Sequence, residues 1–434
     1  VDPRVLERPH TSVIVVGGGQ AGLSMSWYLK SRGIDHIVLE RHRIAHEWRE
    51  RRWDSFCLVT PNWQCQLPGF PYAGGDPHGF MGRDDIVRYV EAYAASFGPP
   101  VREGIEVTSL RRGEGGGYAV TTSDGEFTCD QVVIAVGGYH VAVLPRFAER
   151  VPDHIVQMHS SQYRNPAQLP PGEVLVVGSG QSGCQIAEDL HLAGRQVHLA
   201  TGGAPRTARF YRGRDVVDWL QDMGYYDMPV EQHPLKERVR AKANHYVTGR
   251  DGGHDIDLRR FALEGMRLYG RMTGVTGTML TFADDLKRNL DQADAVSESI
   301  KTTIDKYIDA SGIEAPAEPR YVPPWQPQTA PPALDVIDSN VTSIVWSMGY
   351  RADYRWIEVP VFDGKGYPTH QRGVTSAPGL YFLGLPWLHT WGSGRFSGIA
   401  RDAGYLADRI AASLEARERA TAGAAAMNEL AFGS

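Results

Sequence analysis

Three stretches of the chain are unbroken apolar runs of strand length: SVIVVG (12–17), VVIAVG (132–137) and the VLVV of 174–177. Runs apolar at successive positions bury both faces, as strands of a parallel sheet do. The first leads into QAGLSMSWYLKS (20–31), which reads as a helix stopped by Gly33, and then into DHIVLE (35–40), a second strand. That is a βαβ unit, and a second one runs from Glu173 to Thr201. Between them, Trp48–Phe80 is rich in Pro, Gly and aromatics and reads as irregular. RDDIVRYVEAYAASFG (83–98) predicts an amphipathic helix capped before Asp84 or Asp85, followed by β-rich sequence up to the buried strand at 131–136. Beyond Thr201 the pattern changes: residues 205–320 read as polar and mostly helical, with 284–312 the clearest helical period. A Pro-rich connection (314–333) follows, then buried strands in VTSIVWSMGY (341–350) and GLYFLGL (379–385), and a long closing helix from Gly398 whose last ten or so residues are expected to fray.

Two βαβ units predict an α/β chain with two Rossmann-like dinucleotide-binding domains, the second inserted in the first and carrying a mostly helical insertion. The expected boundaries are 1–170, 171–335 and 336–434. A net charge of −6 gives no reason to expect a nucleic-acid or anionic-membrane partner. No apolar run is long enough for a membrane helix, and VDPRVLERPH has no signal-peptide core. Cys57, Cys65, Cys129 and Cys184 form no C-x-x-C pair, so neither a redox dithiol nor a metal site is spelled, and a cytoplasmic location is expected.

Each βαβ unit contains G-x-G-x-x-G at its strand–helix turn. In the first, Gly17 makes the turn, Gly19 lets a pyrophosphate approach and Gly22 lets the helix pack on the strand. Gln20 and Ala21 then open the helix, whose free N–H groups and dipole face the phosphates. Glu40, 23 residues after Gly17, can accept both ribose hydroxyls of an adenosine. The second copy is Gly178, Gly180 and Gly183, with Gln181 and Ser182 inside it, and the same count reaches Thr201 instead of an acid. A hydroxyl there can bond a ribose 2′-phosphate that a carboxylate would repel, and Arg206 and Arg209 can add positive charge. The first turn therefore suits FAD and the second NADPH; Thr201 is also compatible with either nicotinamide nucleotide. A flavin fed by a nicotinamide is an oxidoreductase.

This layout resembles the two-dinucleotide-binding flavoproteins, and more narrowly the flavin-containing monooxygenases of the YUCCA and bacterial branch. LVTPNWQCQLP (58–68), within 46–71, carries the resemblance. So do VVIAVGGYH (132–140) and SIVWSMGYRADY (343–354), which look like its two interdomain links, HSSQYRNP (159–166), and APGLYFLGLP (377–386). The chain departs from the family fingerprint at Asp153 and Ile155, and Tyr163 stands where Baeyer–Villiger enzymes have Trp. The resemblance implies that NADPH reduces FAD, that a C4a-(hydro)peroxyflavin forms with O₂, and that it oxygenates a small organic substrate. A reductase or dehydrogenase, or a flavin oxidase, is the alternative.

The resemblance also implies site residues. Asn62 is placed nearest the chemistry, with turn capping as the alternative. Trp48, Thr60 and Gln66 are expected along the flavin, Trp48 alternatively as core. His389 follows the C-terminal flavin strand as an acid–base candidate or a structural histidine. Further cofactor contacts are expected at Arg41, Val107, Ala135 and Gly137 and, later in the chain, at Gly349, Gly384 and Leu385. Scattered tryptophans at 325, 346, 356 and 387 suggest an aromatic or apolar substrate, or core. A homodimer is a candidate assembly, and the 205–330 region receives no role.

Overall fold

The computed structural model describes residues 9–432, with side chains described as far as residue 420. Most of the segment judged to lack a signal peptide, and the side chains of the expected frayed end, lie outside the described residues. β1 (His10–Val16), α1 (Gln20–Ser31) and β2 (His36–Glu40) form the first βαβ unit. α2 (Arg83–Phe97) starts at Gly82, whose N–H donates to Asp85, and is followed by β3 (Val101–Glu103). An antiparallel meander then runs through β4 (Val107–Arg112), β5 (Tyr118–Thr122) and β6 (Gly125–Ile134). β6 turns parallel beside β1, pairing Ile14 with Val132.

The chain next builds a second, wholly parallel sheet. Its members are β7 (Val156–His159), β8 (Glu173–Val177), β9 (Val197–Ala200) and β10 (Arg267–Tyr269), with α3 (Gln181–Leu192) crossing over between β8 and β9. α4 (Leu286–Ser311) packs on it, and β11 (Val341–Trp346) inserts between β7 and β8. The chain then returns to the first sheet as β12 (Leu380–Phe382), parallel to β6, and closes with α5 (Ile399–Phe432).

Successive residues of the apolar runs face opposite cores. Val13 and Val15 pack with α1, α2 and α5, whereas Ile14 and Val16 pack under the meander. The second sheet repeats the scheme: Val174 and Val176 lie on the α3 side, Leu175 and Val177 against the antiparallel strands Met272–Thr276, Met279–Phe282 and Ala333–Asp335. Among the described residues no helix is long and apolar enough to cross a membrane.

Two expectations change. Strands 156–159 and 341–346 both belong to the second sheet, so it extends past the expected 171–335 boundaries at each end. VTSIVW is a buried central strand, and its apolar pattern cannot tell one parallel sheet from another. The 205–320 region is also not mostly helical. Apart from α4 it holds only Val216–Asp222 and Leu258–Leu263 as α-helices; the remainder is short 3-10 turns, loops and strands. Its glycines, prolines and aromatics make contacts distant in sequence instead of following a helical period.

The chain crosses between the sheets twice, and the crossings pair with each other. Val141–Ala142 runs antiparallel to Tyr350–Arg351, with Tyr350 opposite Ala142. The His159 ring is hydrogen-bonded to Gly349 O at 3.1 Å and meets Tyr350 edge-on.

Candidate active site

The two glycine turns have the same geometry. Gly17 and Gly178 both have φ +105°, which only glycine adopts without strain. A Cβ on Gly22 would lie 1.8 Å from Gly17 O, and one on Gly183 would lie 1.8 Å from Gly178 O. Each turn is seated on a neighbouring strand end: a Cβ on Gly17 would come within 2.7 Å of Ala135 O, and on Gly178 within 2.5 Å of Ser347 O. Gly19 and Gly180, by contrast, would meet no other atom within 4 Å. Each therefore borders an open cradle beside the first N–H groups of a helix, at Gln20–Gly22 and at Gln181–Gly183. Such a cradle fits a diphosphate.

The acid expected at the adenosine end of the first cradle is held in place. Glu40 Oε2 accepts from Gly18 N–H (2.7 Å) and Oε1 from His42 N–H (2.8 Å), which pins the carboxylate with lone pairs left for ribose hydroxyls. Arg41 is exposed and lies 3.8 Å from Glu106. Val107 opens β4 two residues after Ile105, whose N–H donates to Glu40 O. At the other end, Gly384 packs on Ala21, Leu385 is buried, and Gln20 reaches Gly394 O at 3.5 Å. Gly137 O accepts from the Tyr354 hydroxyl (2.7 Å).

The 46–71 segment meets the C-terminal loop where the flavin ring end is expected. Trp48 stacks on Phe396 at 5.7 Å, and Gln66 N–H donates to Phe396 O. Thr60 is half-buried there. Asn62, however, is committed elsewhere. Its Oδ1 accepts from Met81 N–H (2.7 Å) and its Nδ2 donates to Asp76 O (2.9 Å), so the amide clamps the 76–81 loop. Gln66 is exposed and donates to Trp63 O. The residue that the sequence reading missed is Gln64. It is buried, and both its amide N and O lack a partner among the described residues. An orphaned buried amide is costly, and one that keeps both a donor and an acceptor free fits a ligand offering both. Gln64 and Asn62 are both buried in the same short 62–64 turn, and spacing alone does not distinguish the two amides.

His389 sits in a tight turn, where Ser393 Oγ accepts from the N–H groups of both His389 and Thr390. Its ring Nδ1 is buried without a partner, and burial lowers its pKa, which favours neutral imidazole. Asp402 lies nearby at the start of α5, 2% exposed; burial pushes its pKa up while Ser393 and Arg372 oppose that.

At the second cradle, two of the expected nucleotide contacts are used internally. Thr201 is buried and its hydroxyl donates to Tyr269 O (2.8 Å). Arg206 bonds Asp294 (2.6 Å), lies 3.6 Å from Asp255 and stacks on Tyr321. Neither side chain is presented outward for a 2′-phosphate. Gln181 donates to Val247 O (2.5 Å) and keeps an unpartnered Oε1, and Ser182 is half-buried.

The insertion, which had no expected role, roofs this site. Val230 N–H donates to His389 O (2.7 Å), and Arg240 Nε donates to Trp387 O (3.0 Å). Tyr226 lies 4.4 Å from the Trp391 ring. Arg209 Nη1 donates to Val59 O, and Trp63 Nε1 donates to Asp218. Trp387 has φ +52°, a strained conformation for a bulky residue, and it is gripped by the insertion's Val230 and Val239.

Residues 14–248 match the family described as pyridine nucleotide-disulphide oxidoreductase. An uncharacterized oxidoreductase, CzcO-like, of Geobacillus kaustophilus is 34% identical over 405 residues, 92% of this chain and 97% of its own. The chain belongs to this oxidoreductase family. Within it, the flavin-containing monooxygenases are its kin. The Oryza sativa indole-3-pyruvate monooxygenase YUCCA1 is 33% identical over 258 residues, 57% of this chain and 60% of that one. The solved flavin-containing monooxygenase of Stenotrophomonas maltophilia shares the fold, with a TM-score of 0.63 at 19% identity, covering 93% of this chain and 99% of that one. The family implies a flavin and a nicotinamide cofactor, and the residues of the two cradles fit the diphosphates of both.

Proposed function

We propose that this enzyme is an NADPH-dependent FAD monooxygenase acting on a small aromatic or apolar substrate. The observation that carries the reading is the presence of two intact phosphate cradles, one per sheet, with no thiol pair to receive electrons. Bound flavin supplies the hydride acceptor and the activation of O₂. The chain's own part is to orient and to exclude water. In this reading Trp48 and Phe396 wall the ring end, Gln64 keeps a buried amide free for a ligand, and the insertion closes the side bounded by Trp387 and Trp391. His389, held neutral, can accept a proton at Nδ1.

Disulfide reduction is the second reading, and the thiols oppose it. All four cysteines are free; burial pushes Cys57 up to about 11 and both Cys65 and Cys129 up to about 12, far from the thiolate that exchange requires.

The choice of NADPH rests on the missing acid at Thr201 and on an arginine the sequence reading overlooked. Thr201 N–H donates to Tyr269 O at the end of β10, and Arg271, two residues further on, is exposed and without a side-chain partner among the described residues. Arg271→Gln is expected to raise the KM for NADPH about tenfold while leaving that for NADH unchanged, in line with loss of one charge-assisted contact. An equal effect on both nucleotides, or none, removes Arg271 from this role.

The deciding experiment is rapid mixing. The enzyme is reduced anaerobically with NADPH and then mixed with oxygenated buffer. A transient near-ultraviolet band distinct from both reduced and oxidised flavin is expected. Direct return to oxidised flavin would overturn the monooxygenase reading in favour of a dehydrogenase or oxidase.

A further inference from the structure

Helix α3, whose first N–H groups border the second cradle, carries a polar stripe. Gln181, Gln185, Glu188 and Asp189 fall at i, i+4, i+7 and i+8, one face of a helix. Gln185, Glu188 and Asp189 are only 4%, 1% and 6% exposed. Buried polar groups at this depth need partners, and residues 247–254 of the insertion supply them. Val247 O accepts from Gln181 (2.5 Å) and Gln185 (3.4 Å), His254 Nε2 lies 2.6 Å from Glu188, and Arg250 Nη1 donates to Asp189 at 2.9 Å.

Asp189 holds more than the insertion. Its Oδ1 also accepts from the Ser55 hydroxyl (2.6 Å), and its Oδ2 accepts from the Tyr163 hydroxyl (2.7 Å). Ser55 belongs to the excursion that leaves the first sheet after β2 and returns at α2. Two residues before it, Trp53 is buried with Tyr163 in the core on the α3 side of the second sheet; three residues after it, Leu58 is buried in the α1 core of the first. Phe56 packs against both cores. One carboxylate therefore joins the excursion of the first half, the chain that follows β7, and the roof. It does so on the helix that opens the second cradle. A helix advances about 1.5 Å per residue, which puts Asp189 about 12 Å along the axis from Gln181. At that distance it does not reach a diphosphate in the cradle, but the stiff helix between them carries its placement there.

We propose that Asp189 is a positioning residue: through α3 it sets where the second cradle stands against the first sheet, and so the geometry in which a nicotinamide ring meets a flavin. The joining of the three segments stands on the contacts above; its consequence for flavin reduction rests on the assignment of the two cradles to FAD and NADPH.

Anaerobic rapid mixing of flavin-loaded Asp189→Ala with a series of NADPH concentrations separates binding from positioning. The limiting rate of flavin reduction is expected to fall at least about tenfold, while the Kd for NADPH stays within about twofold and flavin content and dithionite reduction stay at wild-type values. Asp189→Asn keeps one acceptor oxygen and should recover part of the lost rate. A merely structural role would lower the unfolding midpoint without separating rate from Kd. Hydrogen exchange of the flavin-loaded, nucleotide-free protein needs no turnover: residues 53–57 and 248–254 should exchange faster together in Asp189→Ala, with 20–31 unchanged. An unchanged limiting rate, a raised Kd in place of a lowered rate, or loosening of only one of the two segments overturns the proposal. If Asp189→Ala does not fold, the double variant Ser55→Ala, Tyr163→Phe removes two of the three bonds and leaves Arg250 on Asp189; a wild-type limiting rate there overturns it equally. Wild-type enzyme that NADPH does not reduce defeats the nucleotide assignment and this proposal together, whereas wild-type enzyme that is reduced, but no faster than the variants, defeats this proposal alone.

Discussion

Gly183→Val is expected to yield a flavin-loaded protein that dithionite reduces normally and NADPH reduces at least about a hundredfold more slowly than wild type. A Cβ at 183 would fall 1.8 Å from Gly178 O, so the start of α3 must move away from its turn by an ångström or more. Displacements of that size at a binding geometry cost about two orders of magnitude. The first cradle, proposed here for flavin, lies on the other sheet and is untouched. The twin change, Gly22→Val, meets the same 1.8 Å contact with Gly17 O and is expected to give protein without flavin. Anaerobic reduction rates with each reductant, together with flavin content, check the pair. Wild-type NADPH reduction in Gly183→Val would show that the second turn does not seat the nicotinamide nucleotide.

Arg209→Met should be the most damaging single change to the roof. Arg209 is 1% exposed, donates to Asp215 at 2.7 Å and to Val59 O at 2.6 Å, and lies over Phe80. Asp215 in turn caps the Val216–Asp222 helix through Val217 N–H. Removing the arginine strands a buried carboxylate, a loss of about 3–5 kcal/mol for such pairs. Burial already raises the Asp215 pKa, and Arg209 opposes that rise, so the variant's carboxyl titrates higher still. A carboxyl raised in the folded state is neutral below its folded pKa and penalises folding above it. The defect should therefore shrink as pH falls below the raised pKa and be complete well above it. Unfolding midpoints of the variant and wild type across pH check this; equal midpoints at neutral pH would show that the pair contributes nothing.

What the sequence reveals follows from how local the physics is. Gly17, Gly19 and Gly22 are legible because a positive φ, an open cradle and a 1.8 Å approach all arise within six residues of chain. α4 is legible from its own period. Thr201 and Arg206 mislead because their partners, Tyr269, Asp294 and Asp255, lie about 50 to 90 residues away and consume groups that look free in a linear reading. Asn62 and Gln64 exchange prominence for a similar reason: whether an amide is satisfied depends on the 76–81 loop, which no spacing rule connects to it. The roof is the least legible part. Its Tyr226–Trp391 and Arg209–Val59 contacts join segments with no pattern in common.

The paired crossings at Val141–Ala142 and Tyr350–Arg351 have a mechanical consequence. Two separate tethers would let one half of the molecule swivel and slide against the other. A hydrogen-bonded ribbon bends across its width far more readily than it shears along its length, so it behaves as a leaf spring with one soft axis. Movement of the second sheet relative to the first is thereby restrained at the ribbon, and restrained again where Val230 and Arg240 bond the 387–389 turn.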